Sequence, residues 1–122
     1  MQANNINSVI SVIPVKNFEE SLNWYKKLFG RDPDVVPMEG IAEWQVVEAA
    51  WIQVSIDPEN AGSTTVVLGV NDVEAQCKTC LEANVPVGDV VEYPGVIKMA
   101  EAVDPDGNKI SFVQDISDSS SD

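Results

Sequence analysis

The chain has 122 residues, with 7 basic against 20 acidic side chains and no histidine. That length suits one compact domain, or two small halves that need each other. The net charge of −13 disfavours nucleic acid and anionic lipid and favours a cationic ligand or partner, although acidic charge also serves solubility alone.

Residues Met1 to Ile6 read as a loose polar lead. They lack the basic and apolar regions of a signal peptide. Residues Asn7 to Val15 form a near-continuous apolar run, so the spacing predicts a strand covered on both faces, with Pro14 at its end. Asn17 then caps a helix, with Glu20 placed to complete a capping box. Phe18, Leu22, Tyr25, Leu28 and Phe29 make its apolar stripe, Trp24 borders it, and Gly30 ends it.

Three strands are expected next: Val35 to Met38, Glu43 to Val47 and Trp51 to Ile56. In the last, Trp51, Gln53 and Ser55 share one face and Ile52, Val54 and Ile56 the other. The stretch Asp57 to Ser63 is a break of turn residues. The pattern then restarts, with a strand from Thr64 to Val70 and a helix capped by Asp72 and running to about Ala83; Asn71 with Glu74 is an alternative cap. Strands at Asp89 to Tyr93, Ile97 to Val103 and Lys109 to Gln114 follow, then a polar acidic tail over 116–122 with the composition of a disordered segment. Between the last two strands, Asp104-Pro105-Asp106-Gly107-Asn108 reads as a tight turn entering a strand.

Cys77-Lys78-Thr79-Cys80 has the spacing of a redox pair, but it lies inside the second helix rather than at its start, where the first thiol would be activated. Val73, Cys77, Cys80 and Leu81 instead share a helix face, which favours buried small side chains. No second cysteine pair exists to complete a metal site. No run is long enough to cross a bilayer, and the expected location is cytoplasmic.

An internal repeat joins these pieces. Val15-Lys16-Asn17-Phe18-Glu19 aligns with Val70-Asn71-Asp72-Val73-Glu74 at a spacing of 55 residues. Each half reads strand, helix, then three strands. The expected organisation is a single α+β domain over 1–122, with one unit at about 7–57 and the second at about 64–115. Helices can cover one side of the strands, and the other side must curve around something, meet another chain or line a cavity.

Over residues 7–115 the chain resembles the glyoxalase, bleomycin-resistance and extradiol-dioxygenase superfamily, also called vicinal oxygen chelate proteins. The resemblance rests on Val15-Lys16-Asn17-Phe18-Glu19-Glu20-Ser21-Leu22-Asn23-Trp24-Tyr25 with Leu28-Phe29-Gly30, on Val70-Asn71-Asp72-Val73-Glu74, and on Asp104-Pro105-Asp106-Gly107-Asn108, in that order and at that spacing. It implies two βαβββ units forming a cup-shaped mixed sheet with helices outside, and a homodimer with or without exchanged elements. The family's enzymes hold a divalent metal in the cup. The matching ligand positions here are Ile10, Gln53, Thr65 and Ser111, of which only Gln53 offers even a plausible oxygen ligand. Firm divalent binding needs imidazole, thiolate or several hard oxygens, so no metal or other cofactor is expected.

The same strand parity places Ile10, Val12, Trp51, Gln53, Ser55, Thr65, Val67, Ser111 and Val113 on the cup wall, with Trp44, Met99 and Glu101 added at less fixed registers. An apolar wall with scattered polar groups suits a small organic molecule. A tryptophan can stack on a flat or cationic group, while Glu43, Glu92 and Glu101 supply negative potential. Core or interface packing is the competing role for each tryptophan, and solvation for Glu43 and Glu101. The resemblance is nearest to the family's metal-independent drug-binding members. The expected function is therefore binding and sequestration of a cationic or aromatic compound, as in antibiotic resistance, with no catalytic residue assigned. The alternatives are a lyase or isomerase using a carboxylate such as Glu92 or Glu101, or a protein-interaction module with a filled cup.

Overall fold

A computed structural model describes residues 5–117. The polar lead at 1–4 and most of the expected disordered tail, 118–122, lie outside the described residues. The elements run β1 (Val9–Val15), α1 (Phe18–Phe29), β2 (Val35–Met38), β3 (Ile41–Val47), β4 (Ala50–Ile56), β5 (Thr65–Gly69), α2 (Val73–Glu82), β6 (Val91–Tyr93), β7 (Ile97–Val103) and β8 (Lys109–Asp115). The duplication is complete: β1-α1-β2-β3-β4 is followed by β5-α2-β6-β7-β8.

Each unit folds into its own mixed four-stranded sheet, ordered β1-β4-β3-β2 and β5-β8-β7-β6. The first strand of each lies parallel to the last, and the remaining pairs are antiparallel. A parallel pair needs a long crossover, and the helix supplies it in both units. Together the sheets form an open mixed architecture with the helices packed outside.

Local chemistry fixes the helix ends. The Asn17 side chain accepts a hydrogen bond from Glu20 N at 3.1 Å, and Asp72 does the same for Ala75 N at 3.1 Å. These are equivalent caps; the Asn71 alternative is not used. Gly30 closes α1 at φ 74°, a conformation that costs glycine little, and its N–H donates to Lys26 O. Lys26 and Lys27 sit in the last turn, where the helix dipole is negative.

The core lies between helices and sheets. Tyr25, Trp44, Ile13, Val15 and Val54 are fully buried in unit one, and Ile110, Phe112, Val73 and Val85 nearly so in unit two. The helix-facing side of β1 is thus covered at Ile13 and Val15. Its other side is not: Ile10 and Val12 are each 49 % exposed, contrary to the expectation of a strand buried on both faces. On α2, Val73 and Cys80 are buried as the helical spacing predicts, Cys77 is half-buried, and Leu81 is instead 59 % exposed. Burial pushes the thiols of both cysteines above their ordinary range, the opposite of an activated redox pair.

The Asp104–Asn108 turn is more than a hairpin end: it clasps the two units together. Asn108 is fully buried; its amide donates to Pro14 O at 2.8 Å and to Asp104 Oδ2 at 2.9 Å, and its carbonyl oxygen accepts from Gly62 N and Thr64 N at 3.0 Å each. Asp104 accepts from Tyr25 Oη at 2.8 Å and from the backbone N–H groups of Asp106 and Asn108. Asp106 accepts from Lys16 N at 3.0 Å. Gly62 passes so close that a Cβ there would collide with the Asp106 carbonyl, and its φ of 92° excludes most side chains as well.

At the far edge of unit one, β2 is exposed along its whole length, carries Pro37, and pairs with β3 only through an irregular register between Val35 and Met38.

Candidate functional site

The side of each sheet turned away from its helix carries the expected site residues. In unit one, β1 and β4 pair in register as Ile10↔Trp51, Val12↔Gln53 and Pro14↔Ser55. Residues directly opposite one another in a sheet point to the same side. Ile10, Val12, Trp51, Gln53 and Ser55 therefore share the helix-free face, while Ile52 and Val54, 3 % and 0 % exposed, point into the core. The β3–β4 register adds Ile41, Glu43 and Gln45 to that face.

Trp44 does not belong there. It pairs with Ile52, lies on the helix side and is completely buried, with its indole N–H donating to Arg31 O at 3.1 Å. Its ring packs against Phe29 at 5.3 Å and Tyr25 at 6.3 Å between centroids. The expectation that Trp44 lines the cup is thus corrected, in favour of core packing. Trp51 is the tryptophan of the open face.

Unit two repeats the pattern. Thr65↔Lys109, Val67↔Ser111 and Gly69↔Val113 align β5 with β8. Ser111↔Glu101 and Val113↔Met99 carry the same face onto β7, and Met99↔Val91 extends it to β6. Thr65, Val67, Met99, Glu101 and Ser111 are brought together as expected. Glu92 pairs with Lys98 in the next register position, on the other side of the strand from Val91.

The two faces carry matching polar centres. In unit one, Gln53 Nε2 donates to Glu43 Oε2 at 2.7 Å. In unit two, Ser111 Oγ donates to Glu101 Oε2 at 3.0 Å. Each carboxylate stands beside the middle of the parallel pair, in the rows Val12–Gln53–Glu43 and Val67–Ser111–Glu101. A neutral donor fixes each carboxylate's direction and leaves its charge uncompensated. Among the described residues neither Glu43 nor Glu101 forms a salt bridge; Lys109 lies on the same face as Glu101, one row away. The flanking surface is apolar and open, with Val67 62 % exposed. Sequence reasoning named Glu43 only as a source of potential and missed Ile41 and Gln45. Alternation outward from Glu43 was the signal that places all three on one side.

The positions that the resemblance matches to metal ligands are Ile10, Gln53, Thr65 and Ser111. Their side chains offer one amide, two hydroxyls and a hydrocarbon, which do not fit a divalent ion. Among the described residues no three His, Cys, Asp or Glu side chains come together as a metal-binding group. What the faces can do chemically is cover a flat apolar group and neutralise a positive one.

No protein-family model and no curated protein sequence matches the chain, so its relationships are structural. It is similar to a glyoxalase/bleomycin resistance protein from Catenulispora acidiphila DSM 44928, at 29 % identity and TM-score 0.83 over 88 % of this chain and 96 % of that one. It is also similar to TnmS3, an antibiotic binding protein from Streptomyces sp. CB03234, at 23 % identity and TM-score 0.74 over 94 % and 98 % of the two chains. A bleomycin-binding protein, solved in complex with bleomycin, aligns at 18 % identity and TM-score 0.70 over 94 % and 98 %.

Proposed function

The chain carries the fold of the glyoxalase and bleomycin-resistance superfamily, and from that premise we propose that it sequesters a small cationic or aromatic compound on its helix-free sheet faces. The arrangement of the faces and the metal-unfit side chains support binding of a small organic molecule without a metal ion. The finer reading, a ligand with a positive or flat group, rests on one observation above all. The middle row of each face presents a carboxylate aimed by a neutral hydrogen-bond donor, with an exposed valine in the same row and Trp51 one register step from the carboxylate of unit one. A positive group finds charge complementarity there, and an indole face adds cation–π or stacking attraction.

The occupied form is a homodimer. Ile10, Val12, Val67 and Val91 leave a broad apolar surface open in the single chain, and such surfaces are seldom left uncovered. A second copy closes the faces into a groove, and a ligand held between two chains is shielded on both sides. The cup then holds ligand rather than a protein partner, because its centre carries charge as well as hydrocarbon.

Calorimetric titration with bleomycin as a cationic probe tests this reading. Binding is expected to weaken as salt rises, through screening. Trp51→Ala is expected to weaken it roughly tenfold, about 1.4 kcal/mol. Glu43→Gln is expected to reduce both affinity and its salt dependence. No binding by bleomycin or other cationic aromatic drugs, together with tight salt-independent binding of an organic acid, would overturn the proposal. Sedimentation velocity tests the dimer; a monomer at micromolar concentration with ligand bound would refute that part.

A further inference from the structure

The two units are joined twice, and the two junctions are not equally filled. The first is the clasp, in which the turn at 104–108 inserts Asp104, Asp106 and Asn108 against β1 and α1. The internal repeat defines the second. Counted from the equivalent caps Asn17 and Asp72, Cys80 of α2 stands where α1 has Tyr25, Gln76 stands for Ser21, and Thr79 for Trp24. The pairs Gln45↔Trp51 and Val103↔Lys109 likewise match the hairpin at 46–50 to the turn at 104–108, so Val46 stands for Asp104 and Ala50 for Asn108. Every one of these replacements but Gln76 removes a ring, a charge or an amide.

The result is space. A cavity of about 530 Å³ lies at the second junction, walled by Leu28, Phe29, Val46, Leu68, Val70 and Phe112. It is separate from the face centred on Gln53 and Glu43. Its floor is hydrocarbon: Leu28 and Phe112 are 5 % and 2 % exposed. Its polar rim is already committed. Arg31 donates to Asp34 Oδ2 at 2.8 Å and to Gln45 O at 2.7 Å, and Thr79 Oγ1 donates to Ala75 O at 3.1 Å. Gln76 also lines the rim; its Nε2 makes a 3.7 Å contact to Cys80 Sγ, and among the described residues its oxygen accepts no hydrogen bond.

We infer that this second junction is a binding site for a compact, uncharged aromatic molecule bearing one N–H or O–H, the kind of group that Tyr25 supplies covalently at the first. Apolar walls favour a flat hydrocarbon body, the pairing of Arg31 with Asp34 offsets its charge toward an anion, and the Gln76 oxygen takes the single donor. Its wall shares Val67 with the unit-two face and no residue with the row Val12–Gln53–Glu43 of unit one.

Indole and phenol are the probes, read by methyl NMR on the full chain. Saturable shifts are expected at Leu28, Val46, Leu68 and Val70, with Ile10 and Val12 unmoved. Thr79→Trp restores the residue found at the first junction and sits on an exposed helix position, so folding survives; it is expected to weaken indole binding at least roughly tenfold. Val46→Phe, which fills the cavity from the other wall, is expected to do the same. Trp51→Ala is expected to leave indole affinity unchanged, which separates this site from the proposed drug-binding face of unit one. Shifts confined to Ile10 and Val12, no saturable shift at all, or undiminished binding in both filled variants would each overturn the inference.

Discussion

Replacing Asn108 by alanine tests the clasp where it is most concentrated. The side chain is fully buried and uses its whole hydrogen-bonding capacity: two donors to Pro14 O and Asp104, and two acceptor positions to Gly62 N and Thr64 N. Alanine leaves three backbone groups without a partner and takes one of the four donors from the Asp104 carboxylate. An orphaned buried polar group costs about 1–3 kcal/mol, and water admitted to the small void recovers part of that. At about 1 kcal/mol for each of the four losses, the total comes to about 4 kcal/mol, a drop in melting temperature on the order of 15 °C for a domain of this size. Urea unfolding at fixed protein concentration, with Asn60→Ala as an exposed control, measures it. A loss under about 1 kcal/mol, or one no larger than the control, would refute the assignment of the turn as the element joining the units.

The two tryptophans should separate by stability: Trp44→Ala is expected to cost about 3–5 kcal/mol and Trp51→Ala much less, as read by the same unfolding assay. Tyr25 titrates well above the ordinary tyrosine range, first because it is buried and then because the Asp104 carboxylate lies beside it. Its contribution is complete below the unfolded tyrosine pKa of about 10 and is lost as pH rises beyond it, so Tyr25→Phe should flatten the fall of stability in alkali. Asp34 lies below its ordinary range, chiefly through its hydrogen bond from Arg31 and then that from Gln45 N. Its contribution is present above the unfolded aspartate pKa of about 4 and is lost as pH falls through the folded value, so the difference between the native chain and Asp34→Asn should close in acid. Cys80, buried and raised in pKa, is expected to react with a disulfide reagent only at the rate of unfolding, whereas Cys77 reacts slowly in the native chain; fast labelling of both would contradict the packing of α2.

Most of the element order was legible because periodicity and caps agree. Asn17 and Asp72 end loops, Gly30 ends a helix, and the alternation of Trp51 to Ser55 against Ile52 to Ile56 sets a face. Trp44 was not legible in the same way. Its neighbours Ala42 and Val46 are apolar, but Ile41 and Val47 are too, so local alternation does not choose a side and only pairing with Ile52 and Val54 does. The role of the Asp104–Asn108 turn was hidden for a different reason. Its partners Pro14, Lys16, Ser21 and Tyr25 are distant in the chain, and a turn motif carries no mark of what it will meet. The paired centres Glu43–Gln53 and Glu101–Ser111 needed both cross-strand registers before their equivalence showed.

The irregular outer strand β2 has a consequence for crowding. A flat strand with free N–H and C=O groups along its rim invites another rim to zip against it. Here Pro37 removes one N–H and the slip between Val35 and Met38 breaks the spacing, although Val36 and Met38 are 56 % and 61 % exposed. That border offers apolar side chains without the backbone ladder that would let copies stack into fibres.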